Sequence, residues 1–177
     1  DPQLMLATDM IPCEDAHAQE RSLTPEILEK VSEHEVWIAD RNFCTAPLLF
    51  GIAQRGAYFV IRQHAKLSIE PASELTTCGR TDTGEVLEQL VHVTNSDGAV
   101  LKVRRVVIRL ESPTRDGDRE MAILTNLPKT KARATVVACA YRKRWTLETM
   151  FQSLTQMLQG EIDTLAYPKA ALFGFGI

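Results

Sequence analysis

The chain lacks long hydrophobic runs. None of its apolar stretches reaches the ~18 residues that a membrane-spanning helix needs, so no association with a membrane is expected. The stretch DPQLMLATDM has no basic residue ahead of its apolar part, and we therefore expect no secretory signal there. Hydrophobic residues make up 45% and charged residues 24% of the 177 residues. This average composition excludes intrinsic disorder, collagen and coiled coil as descriptions of the whole chain.

Paired cysteines are missing as well. The chain has four cysteines, none in a CxxC pair and none at a regular spacing: Cys13, Cys44, Cys78 and Cys139. The pattern therefore indicates neither a zinc ribbon nor a disulfide framework. We expect four reduced thiols in a cytoplasmic protein.

Excess positive charge is also absent, because the net charge is -3. That balance argues against a protein whose main task is to hold nucleic acid. The bases are nevertheless clustered, with no acid between them, at Lys129, Lys131, Arg133, Arg142, Lys143 and Arg144. A second cluster contains Lys102, Arg104, Arg105 and Arg109. Such patches are typical of a protein that meets a phosphate backbone on one face, although a merely solvated face is the alternative.

The first third of the chain alternates between strand and helix patterns. It predicts a strand over 4–11, a helix over 17–34, a buried strand over 35–40, a helix over 45–56 and a strand over 57–64. Gly56 is expected to end the second helix. This order predicts an α/β layer with a largely parallel sheet.

The pattern changes after residue 66. Residues 67–126 contain β-rich runs separated by turn signals such as Asn95-Ser96-Asp97-Gly98, which predicts an inserted antiparallel block. A long helical pattern follows over 131–158. We therefore expect an α/β core segment over 1–66, a β-rich insertion over 67–126 and a return to the core over 127–177.

Two acids stand out by position. Asp40 ends the strand EVWIAD, where open α/β sheets collect ligands and catalytic groups. Glu148 lies at helical spacing from Tyr141 and Arg144, so that the three side chains share one face. Two such carboxylates can hold Mg²⁺ for phosphodiester cleavage. The alternatives are that Asp40 caps a turn, that Glu148 and Arg144 form a surface pair, and that Tyr141 is plain core.

The runs IADRNF and YRKRWTLETMFQ resemble bacterial insertion-sequence transposases of the DDE type. The helix motif of that family is Tyr, Arg, Glu and Lys separated by two, three and six residues, and here Tyr141, Arg144 and Glu148 match it. HAQERSL (17–23), AYFVIRQH (57–64) and the stretch 160–175 are similar to the family as well. The resemblance implies an RNase H-like fold, a mixed sheet with flanking helices and an inserted antiparallel β-rich subdomain.

The resemblance also implies roles for individual residues. Asp40 would be the second acid of the catalytic triad and Glu148 the third, together holding Mg²⁺ or Mn²⁺. Tyr141 and Arg144 would contact DNA phosphate or position the end of the element. The basic stretch that contains Lys131, Arg133, Arg142 and Lys143 would face the DNA.

The chain departs from the family pattern in two places. Thr155 stands where the motif has its lysine, so one charged contact to phosphate is missing. The first acid of the triad is expected before residue 1, since Asp1 and Asp9 lie at the wrong places. Both ends of the chain suggest an incomplete domain, cut from a longer protein and inactive by itself.

The function expected from this resemblance is metal-dependent cleavage and joining of DNA. The complete protein would bind terminal inverted repeats as a homodimer and join the element's ends to target DNA. One alternative is a catalytically dead remnant that only binds DNA or dimerises. A second is another RNase H-like nuclease.

Overall fold

The computed structural model describes residue 11 and residues 20–114 and 117–144. Its helices are α1 (Thr24–Glu29), α2 (Ala46–Gln54) and α3 (Ala134–Lys143), with 3-10 turns over Glu20–Leu23 and Arg41–Phe43. Its strands are β1 (Val36–Ala39), β2 (Tyr58–Arg62), β3 (Glu70–Pro71), β4 (Thr76–Thr81), β5 (Gly84–Thr94), β6 (Val100–Leu110) and β7 (Glu120–Thr125). No helix in these ranges is long and apolar enough to cross a membrane.

The seven described strands form one mixed sheet in the order β1-β2-β7-β6-β5-β3, and β4 also pairs with β5. Strands β1 and β2 run parallel, and every other pairing is antiparallel. The predicted mixed α/β architecture is therefore confirmed. The expectation of a largely parallel sheet is wrong for the described residues, because β2 pairs on its second side with the antiparallel β7 rather than with another crossover strand.

Helices cover both faces of the sheet. Alternation along β2 directs Phe59 and Ile61 to the core beneath α1 and α2, whereas Val60 joins the core beneath α3. Thr45 caps α2 by accepting a hydrogen bond from a main-chain amide of the first turn. Gly56 follows its end with a φ of 69°, so the predicted helix stop is confirmed.

Strand β1 is less buried than its apolar sequence suggests. Val36 is 48% exposed and Ile38 is 41% exposed, so the expectation of a buried strand is wrong. Among the described residues, β1 pairs only with β2, and only its other face, with Trp37 and Ala39, packs against the core. An apolar run does not reveal which of its faces the fold covers.

The remaining sequence expectations are met in part. The helix expected over 17–34 is limited to the 3-10 turn and α1, since residues 30–34 are not helical and residues 17–19 lie outside the described ranges. The turn at Asn95–Gly98 joins β5 to β6, as expected. Helix α3 begins within the long helix expected over 131–158, and residues 145–158 lie outside the described ranges, as does the strand expected over 4–11.

The β-rich region continues the sheet that starts with β1 and β2. Strand β7 is hydrogen-bonded to β2 with Ile61 opposite Leu124, and β5 and β6 extend the same sheet further. The antiparallel strands expected between residues 67 and 126 are present. The division of the chain at residues 66 and 126 stays a prediction.

Candidate active site

Asp40 lies immediately after β1, at the carboxyl edge of the parallel β1–β2 pair. Ala39 pairs with Ile61, so Asp40 and Arg62 are the next residues along two adjacent strands. The Asp40 carboxylate accepts a hydrogen bond of 2.5 Å from the main-chain amide of Arg41 and thereby caps a 3-10 turn. The side chain remains half-buried. The turn-capping alternative therefore holds, and it fixes a carboxylate at the edge where α/β sheets collect catalytic groups.

Arg62 brings a positive charge to the same edge. Its Nη2 atom donates to Oδ2 of Asp118 at 2.7 Å, and the Arg62 side chain is only 18% exposed. The pair joins the end of β2 to the loop before β7. A partly buried arginine held in this way has a fixed orientation next to Asp40.

Tyr141 connects this edge to the end of α3. Its side chain is 1% exposed, and burial raises the pKa of its hydroxyl. The charge of Arg144 opposes that rise and the charge of Asp40 adds to it, with a weaker opposing effect from Arg62. The Arg144 guanidinium carbon lies 5.4 Å from the centroid of the Tyr141 ring, within the range of a cation–π contact. The charges of Asp40 and Arg62 at the sheet edge and of Arg144 at the helix end therefore all act on the buried Tyr141 hydroxyl.

This burial bears on the role expected for Tyr141. Of the interpretations left open by the sequence, plain core describes its ring, which packs with Val137 and Ala138 of α3 against Val60 and Ile108 of the sheet. Arg144 is half-buried at the C-cap of α3. Contact of either residue with DNA stays a prediction. The other two positions of the motif, Glu148 and Thr155, lie outside the described ranges.

The basic residues near α3 have different surroundings. The Lys131 ammonium lies 2.8 Å from the hydroxyl of Tyr58 and 4.6 Å from the centroid of its ring. Arg142 forms an exposed ion pair with Asp82 of the β4–β5 turn. Arg133 and Lys143 are exposed at the two ends of α3. These four of the six residues expected to contact DNA are thus at the surface, and their role stays a prediction.

The second basic cluster, on β6, is divided by the alternation of the strand. Arg104 is 7% exposed, and its guanidinium is bound to Glu88 on β5, so it is a structural residue. The neighbouring Arg105 points to the opposite face, where its Nε donates to Oε1 of Gln63 at 2.7 Å. The charge pattern alone did not separate these two arginines, whereas strand alternation predicts that they face opposite ways.

An open cleft of ≈ 480 Å³ lies beside the Asp40 turn. Its walls include Arg41 and Asn42 of that turn, Arg62 to Ala65 at the end of β2, Arg105, Asp118, and Glu120 to Ala122. Sequence analysis did not single out Arg62, Gln63 or Asp118. The stretch AYFVIRQH does point to Arg62 and Gln63, because they stand at the end of β2, the strand next to the one that Asp40 follows.

The chemistry of Asp40 fits a divalent cation. A half-buried carboxylate at a strand end provides the hard oxygen ligand that Mg²⁺ and Mn²⁺ prefer. Within residues 20–114 and 117–144, no group of three or more His, Cys, Asp or Glu side chains could hold a metal ion together. Asp40 is thus a possible single ligand from the described part of the chain.

The sequence model of the transposase DDE domain family matches residues 3–171, which is nearly the whole chain. No curated protein matches the chain. The family match and the mixed sheet with its flanking helices agree with the RNase H-like architecture expected from the sequence.

Proposed function

The chain belongs to the transposase DDE domain family. We propose that it is part of the catalytic domain of a transposase, which cleaves and joins DNA at the ends of its element by metal-dependent phosphoryl transfer. The observation that supports this most is the position of Asp40. It directly follows β1 at the carboxyl edge of the parallel strands, and its charge adds to the rise in the pKa of the Tyr141 hydroxyl that burial causes.

Asp40 and Glu148 would be the residues that hold Mg²⁺ or Mn²⁺. The bound cation would neutralise charge on a phosphodiester and lower the pKa of a water molecule. Glu148 follows Tyr141 by seven residues, close to two helical turns. A helix continued at this spacing would carry Glu148 on the face that Tyr141 presents to the Asp40 edge.

The residues around Asp40 would prepare the site. The buried Tyr141 ring holds the end of α3 against the sheet, and the capping bond from Arg41 fixes the Asp40 carboxylate. Precise placement of reacting groups is a major source of rate enhancement in phosphoryl transfer. Arg144 would bind or position phosphate through its planar guanidinium.

DNA would be the partner of the exposed basic residues near α3. Lys131, Arg133, Arg142 and Lys143 are at the surface and would neutralise backbone phosphates of the terminal inverted repeats and the target DNA. When DNA binds, Arg142 would give up its ion pair with Asp82 and bind a phosphate instead. We propose a homodimer on DNA, since two element ends must be brought together.

The test is cleavage of element-end DNA by the complete protein, because the first acid of the triad is expected before residue 1. Glu148→Gln should abolish Mg²⁺-dependent cleavage and leave DNA binding intact. Loss of a ligand should reduce the rate by at least the roughly 10–100-fold typical of outer-shell partners. Asp97→Asn is the matched control, because Asp97 lies in the exposed β5–β6 turn.

Undiminished cleavage by Glu148→Gln contradicts the assignment of Glu148. A wild-type protein that binds DNA with strong salt dependence but never cleaves it, with or without Mg²⁺, supports the non-catalytic alternative instead.

A further inference from the structure

The cleft beside the Asp40 turn contains a half-buried arginine with a fixed orientation. Arg105 reaches it from β6, and its Nε donates to Oε1 of Gln63 at 2.7 Å. Burial lowers the pKa of the Arg105 guanidinium, while the charge of Glu120 opposes this effect. An arginine in water loses its side-chain entropy when it binds a ligand, whereas this one is already held in place.

The two carboxylates that line the cleft are bound to other arginines. Asp118 is paired with Arg62 at 2.7 Å, and Glu120 accepts from Nε of Arg109 at 3.0 Å. Within residues 20–114 and 117–144, no carboxylate forms an ion pair with Arg105. Of the two partly buried arginines in the cleft, Arg62 thus has a carboxylate ion-pair partner among the described residues and Arg105 has none.

We propose that Arg105 is a phosphate-binding residue, which holds a phosphodiester of the DNA substrate in the cleft next to Asp40. This inference rests on the proposed function. Arg41 and Asn42, which directly follow Asp40, form part of the same cleft, so a strand bound there lies beside the carboxylate. The volume of ≈ 480 Å³ is within the range of about 300–1,000 Å³ found for ligand sites.

The hydrogen bond to Gln63 explains why an arginine suits this position. It uses the Nε–H group, so the two terminal nitrogens can act as a pair of donors that matches two oxygens of one phosphate. The partly buried position weakens screening by solvent, which strengthens the contact. A lysine at this place would retain the charge without the paired donors.

The experiment measures binding of the complete protein to double-stranded element-end DNA and to an unrelated duplex, by fluorescence anisotropy at several salt concentrations. Arg105→Gln should weaken binding to both duplexes roughly 10-fold or more, the effect of losing a charged hydrogen bond. It should reduce the slope of log K against log[salt] by about 0.9, as expected for one lost phosphate contact. Arg105→Lys should restore the slope but only part of the affinity.

Arg55→Gln is the matched control. Arg55 is exposed at the C-terminal end of α2, near the start of β2, whereas the cleft lies at the other end of that strand. Thermal unfolding identifies variants that fail to fold, and Arg105→Lys provides the test if Arg105→Gln is one of them. If Arg105→Gln leaves the DNA affinity and the salt slope unchanged, the phosphate-binding role of Arg105 is overturned and the proposed function is not. The same follows if Arg55→Gln loses as much affinity as Arg105→Gln. A wild-type protein that binds neither duplex overturns both the inference and the proposed function.

Discussion

Replacing Glu88 by Gln tests how the sheet holds α3 in place. Glu88 accepts from Nε of Arg104 at 2.6 Å, and Nη1 of Arg104 donates to the carbonyl oxygens of Leu127 at 2.7 Å and Ala132 at 2.8 Å. Lys129 lies 2.9 Å from the second carboxylate oxygen. The side chains of Arg104 and Glu88 are 8% and 6% exposed. This buried network ties β5 and β6 to the segment that leads into α3.

The expected magnitude follows from burial. Glu88→Gln leaves the Arg104 guanidinium buried without its counter-charge, which costs roughly 3–5 kcal/mol. The control is Glu85→Gln on the same strand, since Glu85 is 34% exposed and lies 3.4 Å from the partly exposed Arg109. A pair of that kind contributes at most about 1 kcal/mol. In urea denaturation, Glu88→Gln should lower the midpoint by about 1–2 M.

The double variant Glu88→Met/Arg104→Met distinguishes a lost ion pair from a general defect. Replacing both partners removes the uncompensated charge, so the double variant should be more stable than Glu88→Gln. A loss in Glu88→Gln within about 1 kcal/mol of the loss in Glu85→Gln would show that the buried pair of Glu88 and Arg104 does not contribute the expected stability.

The pair of Glu88 and Arg104 also predicts that the stability of the protein depends on pH. Burial alone would raise the pKa of Glu88, but hydrogen bonds from Lys129 and Arg104 outweigh it and lower the pKa below its ordinary value of 4.5. The stabilisation is therefore complete above pH 4.5 and is lost as the pH falls through the lower pKa of the folded state. Wild-type protein should lose more stability in this acid range than Glu88→Gln does, and parallel losses contradict the assignment.

Two further predictions concern a thiol and a glycine. Burial raises the pKa of the Cys44 thiol to about 11, so at pH 8 it should resist iodoacetamide while the exposed thiols of Cys78 and Cys139 react; equal labelling by mass spectrometry contradicts this. Gly84 has a φ of 152°, and a Cβ there would lie 1.9 Å from a carbonyl oxygen of β6. Gly84→Ala should lower the stability by about 1–3 kcal/mol through backbone strain, and by more through this clash. At Gly98 an added Cβ meets no atom within 4 Å, so Gly98→Ala should lower the stability by only about 1–2 kcal/mol. Equal losses of stability in thermal melts of the two variants would contradict a clash at Gly84.

Local patterns were sufficient for the elements that place Asp40. The apolar run before it predicted β1, and hydrophobic spacing with a glycine stop at Gly56 predicted α2. These features depend on residues close in sequence. The carboxyl edge of the parallel pair could therefore be recognised as a candidate site before its surroundings were known.

Long-range pairing explains most of what the sequence did not reveal. The antiparallel partner of β2 lies about 60 residues further along the chain, so the local strand–helix order wrongly favoured a largely parallel sheet. Arg104 looked like part of a surface patch because its partner Glu88 is 16 residues away and meets it only through the β5–β6 register. The burial of Tyr141 likewise depends on the strands beneath α3 rather than on its own helix.

Cleavage of element-end DNA by the complete protein carrying Asp40→Asn, with and without Mg²⁺, tests most directly whether Asp40 holds the metal ion for DNA cleavage. The change removes one negative charge and leaves an amide oxygen able to accept the capping hydrogen bond from the following residue. DNA binding should persist and Mg²⁺-dependent cleavage should fall by about 100-fold or more, while Asp97→Asn behaves as wild type. Cleavage by Asp40→Asn at the wild-type rate would contradict the assignment of Asp40 as a catalytic carboxylate.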